Sequence, residues 1–392
     1  MDKSNVKEAY MFPTSKKEVE ALGWDYIDVI LFTGDAFVDH PSFGTACIAR
    51  WLQKWGWRVA VVPQPNWRDD LRDFKKLGAP RLYFGVNAGA MDSMVNHYTA
   101  SKRLRHDDAY TPDGKFGQRP DYAVSVYSKI LKQLYPDIPV VIGGVEASLR
   151  RLTHYDYWKD CLVPSILQWS GADYLCYGMG EKTMLELTRG IEAGRSRHDM
   201  HKIPQIAFYM TGKPKQKEGT LILHSFEECK KDKRAFAENF HLIETQANMM
   251  HPDTLVECVG DGYIQVNPPC PPATEQEMDS YWDLPFTKLP HPRYKGKRIP
   301  AYDMIKFSIN THRGCFGGCN FCTIAAHQGK FIQSRSEESI LKEVKGLLDL
   351  PGFAGNISDL GAPTANMYGM RGKNPALCDV CRRKSCLFPA LI

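Results

Sequence analysis

The sequence has no apolar run long enough to cross a bilayer: no window reaches the ~18 apolar residues that a membrane helix needs. Its opening stretch, MDKSNVKEAYMFPTSKKEVEALGW, lacks the apolar core of a secretory signal. There is no internal repeat and no low-complexity tract, which leaves ordinary globular domains. A strong charge of either sign is also missing. The net charge of +5 is too small a bias to indicate a nucleic acid partner. Three short basic clusters, Lys102–Arg105, Lys213–Lys217 and Lys230–Arg234, read as solvated faces. No membrane partner is expected, and the expected location is cytoplasmic.

What the chain does have is cysteine. Twelve cysteines in a cytoplasmic protein are not expected to form a disulfide framework, because cytosolic thiols are kept reduced. Some are therefore candidate metal ligands and the rest buried thiols. The scattered ones, Cys47, Cys161, Cys176, Cys229, Cys258 and Cys270, read as structural.

The first 200 residues alternate strand and helix signals, the pattern of an α/β fold with a parallel sheet. Strands are expected at 25–32, 57–63, 81–86, 138–142 and 172–177. Helices are expected at 44–55, 67–77 (capped by Asn66), 122–134 and 181–189. Five strands with crossover helices make a doubly wound sheet, whose ligands bind at the carboxyl ends of the strands. Residues 97–119 read as a long loop, with His97, Lys102, Arg103, Arg105 and His106 making it a candidate cover for a substrate. Residues 201–300 are less regular, with one long helix expected over 226–250 and two short strands over 254–266. Proline-rich breaks at 267–272 and 285–300 put a boundary near 300. The expected domains are thus 1–200, 201–300 and 301–392, the last opening as β–loop–α–β.

In that last segment the string NTHRGCFGGCNFC spans residues 310–322 and spaces its thiols Cys315-x3-Cys319-x2-Cys322. Random placement of twelve cysteines would produce this triple about 0.01 times per chain, so the spacing is a metal signal. A cubane iron–sulfur cluster normally takes four thiolates. Three leave one iron open, and that iron can chelate the amino and carboxylate groups of S-adenosylmethionine (SAM). One electron passed to the sulfonium then breaks a C–S bond and yields a 5′-deoxyadenosyl radical. Gly314, Gly317 and Gly318 let the backbone pass close to the cluster. The competing readings are a non-catalytic iron–sulfur or zinc-binding module, and a redox site. A second group, Cys378-x2-Cys381-x4-Cys386, lies among Arg382, Arg383 and Lys384 and is a candidate auxiliary metal site.

The loop resembles the radical SAM signature. The strings GDAFVDHPSFG (34–44), VVIGGVEASLRRLTHYDYW (140–158), DYLCYGMGEKTMLEL (173–187), RGCFGGCNFCTIAAHQGKFIQSRS (313–336) and ISDLGAPTANMYG (357–369) resemble the YgiQ family of radical SAM proteins along essentially the whole chain. The resemblance implies a [4Fe–4S] cluster on Cys315, Cys319 and Cys322, SAM as cofactor, and an electron donor such as flavodoxin or ferredoxin. It implies that Phe321 packs near the adenine. It places Gly361-Ala362-Pro363 where such enzymes carry a Gly-Gly-Glu-like turn to the SAM amino group, although the second glycine and the acid are missing here. It also implies the fold: a cobalamin-binding-like, doubly wound parallel sheet followed by the start of a radical SAM partial (β/α) barrel. Cobalamin is thereby a further candidate cofactor, and a cobalamin-binding protein a further reading. The base-off cobalamin pattern Asp-x-His-x-x-Gly is not met, since Asp39 and His40 are adjacent, so His40 reads as a loop or capping residue. Gly143, Gly144 and Glu146 are candidates for a ligand rim or a tight strand exit. A complete barrel takes about 250 residues, more than follow Cys322. The chain is therefore expected to stop after the second barrel strand. The substrate is not legible.

Overall fold

The computed structural model describes residues 12–214, 218–362 and 366–388. The opening eleven residues, part of the 213–217 basic cluster and Pro363 lie outside the described residues. Strands β1 (Val29–Thr33), β2 (Val59–Pro63), β3 (Tyr83–Asn87) and β4 (Val140–Gly143) are followed by a small hairpin, β5 (His154–Asp156) and β6 (Cys161–Val163). Next come β7 (Tyr174–Cys176), β8 (Ile206–Met210), β9 (Thr220–Ile222), β10 (Thr254–Val259) and β11 (Gly262–Val266). One nine-stranded sheet collects most of these in the order β2-β1-β3-β4-β7-β8-β11-β10-β9. Its first five strands are mutually parallel. β8 then runs antiparallel to β7, and β11 antiparallel to both β8 and β10.

The five parallel strands are the expected ones, and period-two burial explains their position. In β1, Ile30 and Phe32 enter one core with Ala123, Val124, Tyr127 and Leu131 of the helix Ala123–Leu134. Val29 and Leu31 enter the opposite core with Ala46, Ala49 and Leu52 of the helix Gly44–Lys54. A strand covered on both faces must be apolar throughout, as all five residues of β1 are buried.

Several elements differ from expectation. The helix expected over 67–77 is reduced to Arg72–Lys75. Asn66, Asp69 and Asp70 each accept the N–H two residues on, at 3.1, 2.9 and 3.2 Å, and these local turns outcompete the helix. The helix expected over 226–250 breaks into Phe226–Lys231 and Lys233–Ala247, because Asp232 turns extended and caps the second piece. The sheet does not end near residue 200: β8 to β11 extend it to Val266.

The rim at the β1/β3 switch point, where doubly wound sheets bind ligands, is filled by the protein itself. Arg119 is fully buried and pairs with Asp35 at 2.8 Å and Asp108 at 3.0 Å. Burial pushes the Asp35 carboxyl up to about 6 even beside this guanidinium. Residues 97–119 therefore end as an anchor driven into the core. Glu146 is also buried, accepting from the Ser93 N–H at 2.9 Å and the Val124 N–H at 3.0 Å. It ties two helix starts together and does not line a ligand rim.

Beyond Pro300 the chain forms β12 (Ser308–Asn310), β13 (His312–Arg313), β14 (Gln333–Ser334) and β15 (Asp359–Gly361). β12 and β15 pair in parallel across the helix Glu337–Leu347, giving one β–α–β unit.

Replacing Arg119 by Met is expected to lower the unfolding free energy by about 3–5 kcal/mol, because it strands two buried carboxylates; urea denaturation measures this. Glu257 on β10 is buried, accepts from the Thr153 N–H at 2.9 Å, and is pushed from 4.5 up to about 7 by burial. A carboxyl raised in the folded state favours folding below its unfolded pKa, and that contribution is lost as pH rises to about 7. Glu257→Gln should therefore remove up to about 3 kcal/mol of the stability lost on going from acid to neutral pH, read as a flatter pH profile of the thermal midpoint.

Candidate functional site

β13 and β14 pair antiparallel, His312 opposite Ser334 and Arg313 opposite Gln333, and between them they carry the loop that holds Cys315, Cys319 and Cys322. Two buried arginines hold this stem. Arg335 donates to the Asn310 carbonyl at 2.8 Å and to the Ser339 carbonyl at 2.9 Å, and pairs with Glu343. Arg313 pairs with Glu181 at 2.7 Å and lies over the Trp282 ring at 4.5 Å. Glu181 opens the helix Glu181–Glu192 that follows β7, so the stem is fastened to the rim of the large sheet.

Inside the loop, Gly314 has φ +91° and leaves no space for a β-carbon against the Phe331 carbonyl. The Cys315 N–H donates to the Gly329 carbonyl at 3.1 Å, and the Cys322 N–H to the Cys319 carbonyl at 3.2 Å. A β-carbon on Gly317 would stand 3.5 Å from Cys315 Sγ and 3.8 Å from Cys319 Sγ. Both thiols thus turn toward the Gly317 Cα, with Met367 Cε at 4.0 Å on the same side, and Cys322 is half-buried. Among the described residues no three His, Cys, Asp or Glu side chains are arranged around a single ion. A cubane does not ask for that, since it holds its thiolates at separate corners. The donor set, three thiols on one short loop of which two turn toward the side-chain-free Gly317, fits three corners of a [4Fe–4S] cluster.

Phe321 is 90% exposed, which rules out a core role for its ring. Gly361 ends β15, and its carbonyl already accepts from the Thr311 N–H at 2.6 Å. That oxygen is therefore largely taken up by the stem. Ala362 is half-buried, while Pro363 lies outside the described residues. His40 is buried; its Nδ1 accepts from the Ser42 N–H at 3.1 Å, and burial and Lys288 hold it well below the usual imidazole range. Next to it, Asp39 pairs with Arg50 and accepts from the Thr287 N–H at 2.8 Å. The Asp39-His40 segment is a structural clasp, as the sequence suggests.

The second cysteine group is not a loose tail. A β-carbon on Gly318, at φ +67°, would stand 2.9 Å from the Lys384 carbonyl oxygen. The Cys386 N–H donates to the Phe316 carbonyl at 3.1 Å. Residues 384–386 therefore lie directly against the first cysteine loop.

A cleft opens where the loop meets the sheet. Arg151, Tyr177 and Met179 form its wall at the end of β7, Ile243 and Met250 line a second side, and His327 and Lys330 close the third. Its volume, open mouth included, is about 1130 Å³. His327 Nδ1 meets Ser148 Oγ at 3.2 Å, and that oxygen accepts from the Gly178 N–H at 3.1 Å. Burial, then Arg313 and Arg151, hold His327 down to about 4, so it is neutral at physiological pH. The turn after Tyr177, with Gly178, reaches the cleft. Sequence patterns do not reveal the cleft, because its walls come from segments far apart in the chain.

Residues 11–308 match the radical SAM N-terminal family. The match stops short of the cysteine loop. A UPF0313 protein of Porphyromonas gingivalis is 59% identical over 379 residues, covering 96% of this chain and 60% of that protein. One of Bacteroides thetaiotaomicron is 58% identical over 389 residues, covering 96% and 63%. The UPF0313 protein YgiQ of Escherichia coli is 43% identical over 436 residues, covering 97% and 59%. The chain thus spans about three-fifths of the length of these curated relatives. Among solved structures, the radical S-adenosylmethionine methyltransferase TsrM of Kitasatospora setae overlays with a TM-score of 0.45 and 16% identity, over 87% of this chain and 48% of that one. The chain belongs to the radical SAM N-terminal family, in the UPF0313 branch that includes YgiQ.

Proposed function

We propose that this chain is part of a radical SAM enzyme that holds a [4Fe–4S] cluster on Cys315, Cys319 and Cys322 and SAM beside it. The observation that carries this reading is the Cys-x3-Cys-x2-Cys loop itself, with Cys315 and Cys319 both turned toward Gly317. When bound, cluster and cosubstrate supply a one-electron cleavage of SAM to methionine and a 5′-deoxyadenosyl radical, which takes a hydrogen atom from a substrate. The electron comes from a donor of the flavodoxin or ferredoxin kind.

The chain's own residues have defined tasks in this scheme. Arg313 and Arg335 keep the stem, and so the spacing of the three thiols, fixed. Phe321, standing in solvent, offers a ring face for an adenine. The cleft beside the loop receives the substrate and shields it from water. Arg151 brings a positive charge to its wall and has no ion-pair partner among the described residues, which suits a substrate with an anionic or carbonyl oxygen. Neutral His327 is bonded to Ser148 and keeps the wall in place. His40, enclosed by the clasp around Asp39, is not offered as a cobalt ligand, so cobalamin binding would have to use other residues.

Anaerobic reconstitution should give a cluster chromophore, and SAM with dithionite should give 5′-deoxyadenosine. Cys315→Ala, Cys319→Ala and Cys322→Ala should each lower SAM cleavage by more than about 100-fold. Undiminished cleavage, or stoichiometric zinc in place of iron at this loop, would sink the proposal. Gly314→Ala, by forcing a β-carbon against Phe331, should cost about 1–3 kcal/mol of stability and reduce iron retention; thermal melts and iron content read the two effects.

A further inference from the structure

The segment that carries Cys378, Cys381 and Cys386 is built around a buried lysine. Lys330 is 4% exposed. Its Nζ donates to the Arg383 carbonyl at 2.5 Å and to Cys381 Sγ at 3.3 Å. No carboxylate lies within ion-pair distance of Lys330 among the described residues. A buried ammonium without a counter-charge is costly, whereas one facing thiolates is compensated. We infer that Cys378, Cys381 and Cys386 hold a second iron–sulfur cluster, with Lys330 as the cation that balances and hydrogen-bonds its thiolates.

The geometry supports this in three ways. Cys378 sits in the turn of helix Pro375–Val380, and the Cys381 N–H donates to the Cys378 carbonyl at 3.3 Å, so the first two thiols are held close by local structure. Cys386 follows five residues after Cys381, and its backbone is fixed by its bond to the Phe316 carbonyl. All three side chains are partly buried, as a cluster requires, and none is a surface thiol.

Iron is favoured over zinc by the ligand set. Structural zinc takes four protein ligands at one point, commonly from two Cys-x2-Cys arms. Here there is one such arm and one further thiol. A cubane can be held by three thiolates with one iron left open, and the Lys330 hydrogen bond to Cys381 would tune it.

This site is tested independently of the first loop. The whole chain, reconstituted anaerobically, should hold about eight irons and eight sulfides. The triple variant Cys315→Ala/Cys319→Ala/Cys322→Ala leaves the second group untouched and should keep about half of that iron. Cys378→Ala/Cys381→Ala/Cys386→Ala should lose the other half. Lys330→Met should shift the electron paramagnetic resonance signal and lower the potential of the cluster that survives in the first triple variant, and Lys330→Arg should restore both in part. An iron-free first triple variant, or zinc bound there in place of iron, would overturn the inference. Failure of SAM cleavage with eight irons present would count against the proposed function and leave the second cluster standing.

Discussion

The pairing of Arg313 with Glu181 joins the two halves of the molecule. Arg313 is the last strand residue before the cysteine loop, and Glu181 begins the helix that leaves the large sheet after β7. Both side chains are buried, so breaking the pair leaves an uncompensated charge and costs several kcal/mol. The desolvated pair also needs its neighbours. Trp282 covers the guanidinium, and Trp51 donates to the Glu181 carbonyl at 2.8 Å. The register of the stem, the height of the loop above the sheet and the existence of the cleft follow from this one fastening.

A second constraint is that the usual ligand position of a doubly wound sheet is occupied. Asp35, Arg119 and Asp108 fill the β1/β3 rim, while Thr33, Thr45 and Asn87 hydrogen-bond to one another beneath it. The open space has moved along the sheet to the end of β7, beside the antiparallel extension and under the cysteine loop. The extension and the extra helices around Ile243 thus do for the cleft what a crossover helix does at a switch point: they supply its far wall.

The parallel strands were legible because each is a short apolar run closed by a turn, and the cysteine loop because its three thiols sit within eight residues. Both signals are local. Arg119 and Glu146 were not legible as core residues. Nothing near them in the chain marks a buried charge; their partners, Asp35 and Ser93, arrive from distant turns. β9 escaped notice because it is three residues within a polar region, whereas β8, IAFYM, is an apolar run as long as β1 that lies beyond the expected end of the sheet. The helix expected after Asn66 failed for a local reason, three closely spaced Asx turns. The docking of residues 384–386 on Gly318 is a tertiary contact, which cysteine spacing alone could not have placed.

Phe321 and Cys319 stand at the surface of the loop, open to anything that diffuses. A site that took up a nucleoside at an iron corner, as proposed, would also admit dioxygen and peroxide. Oxidation of exposed cysteine leads to sulfenic and higher states. Under that proposal, the same surface that makes the chemistry accessible is the one open to oxidants. Shelter from oxidants has to come from whatever lies over that corner, since the loop by itself offers none.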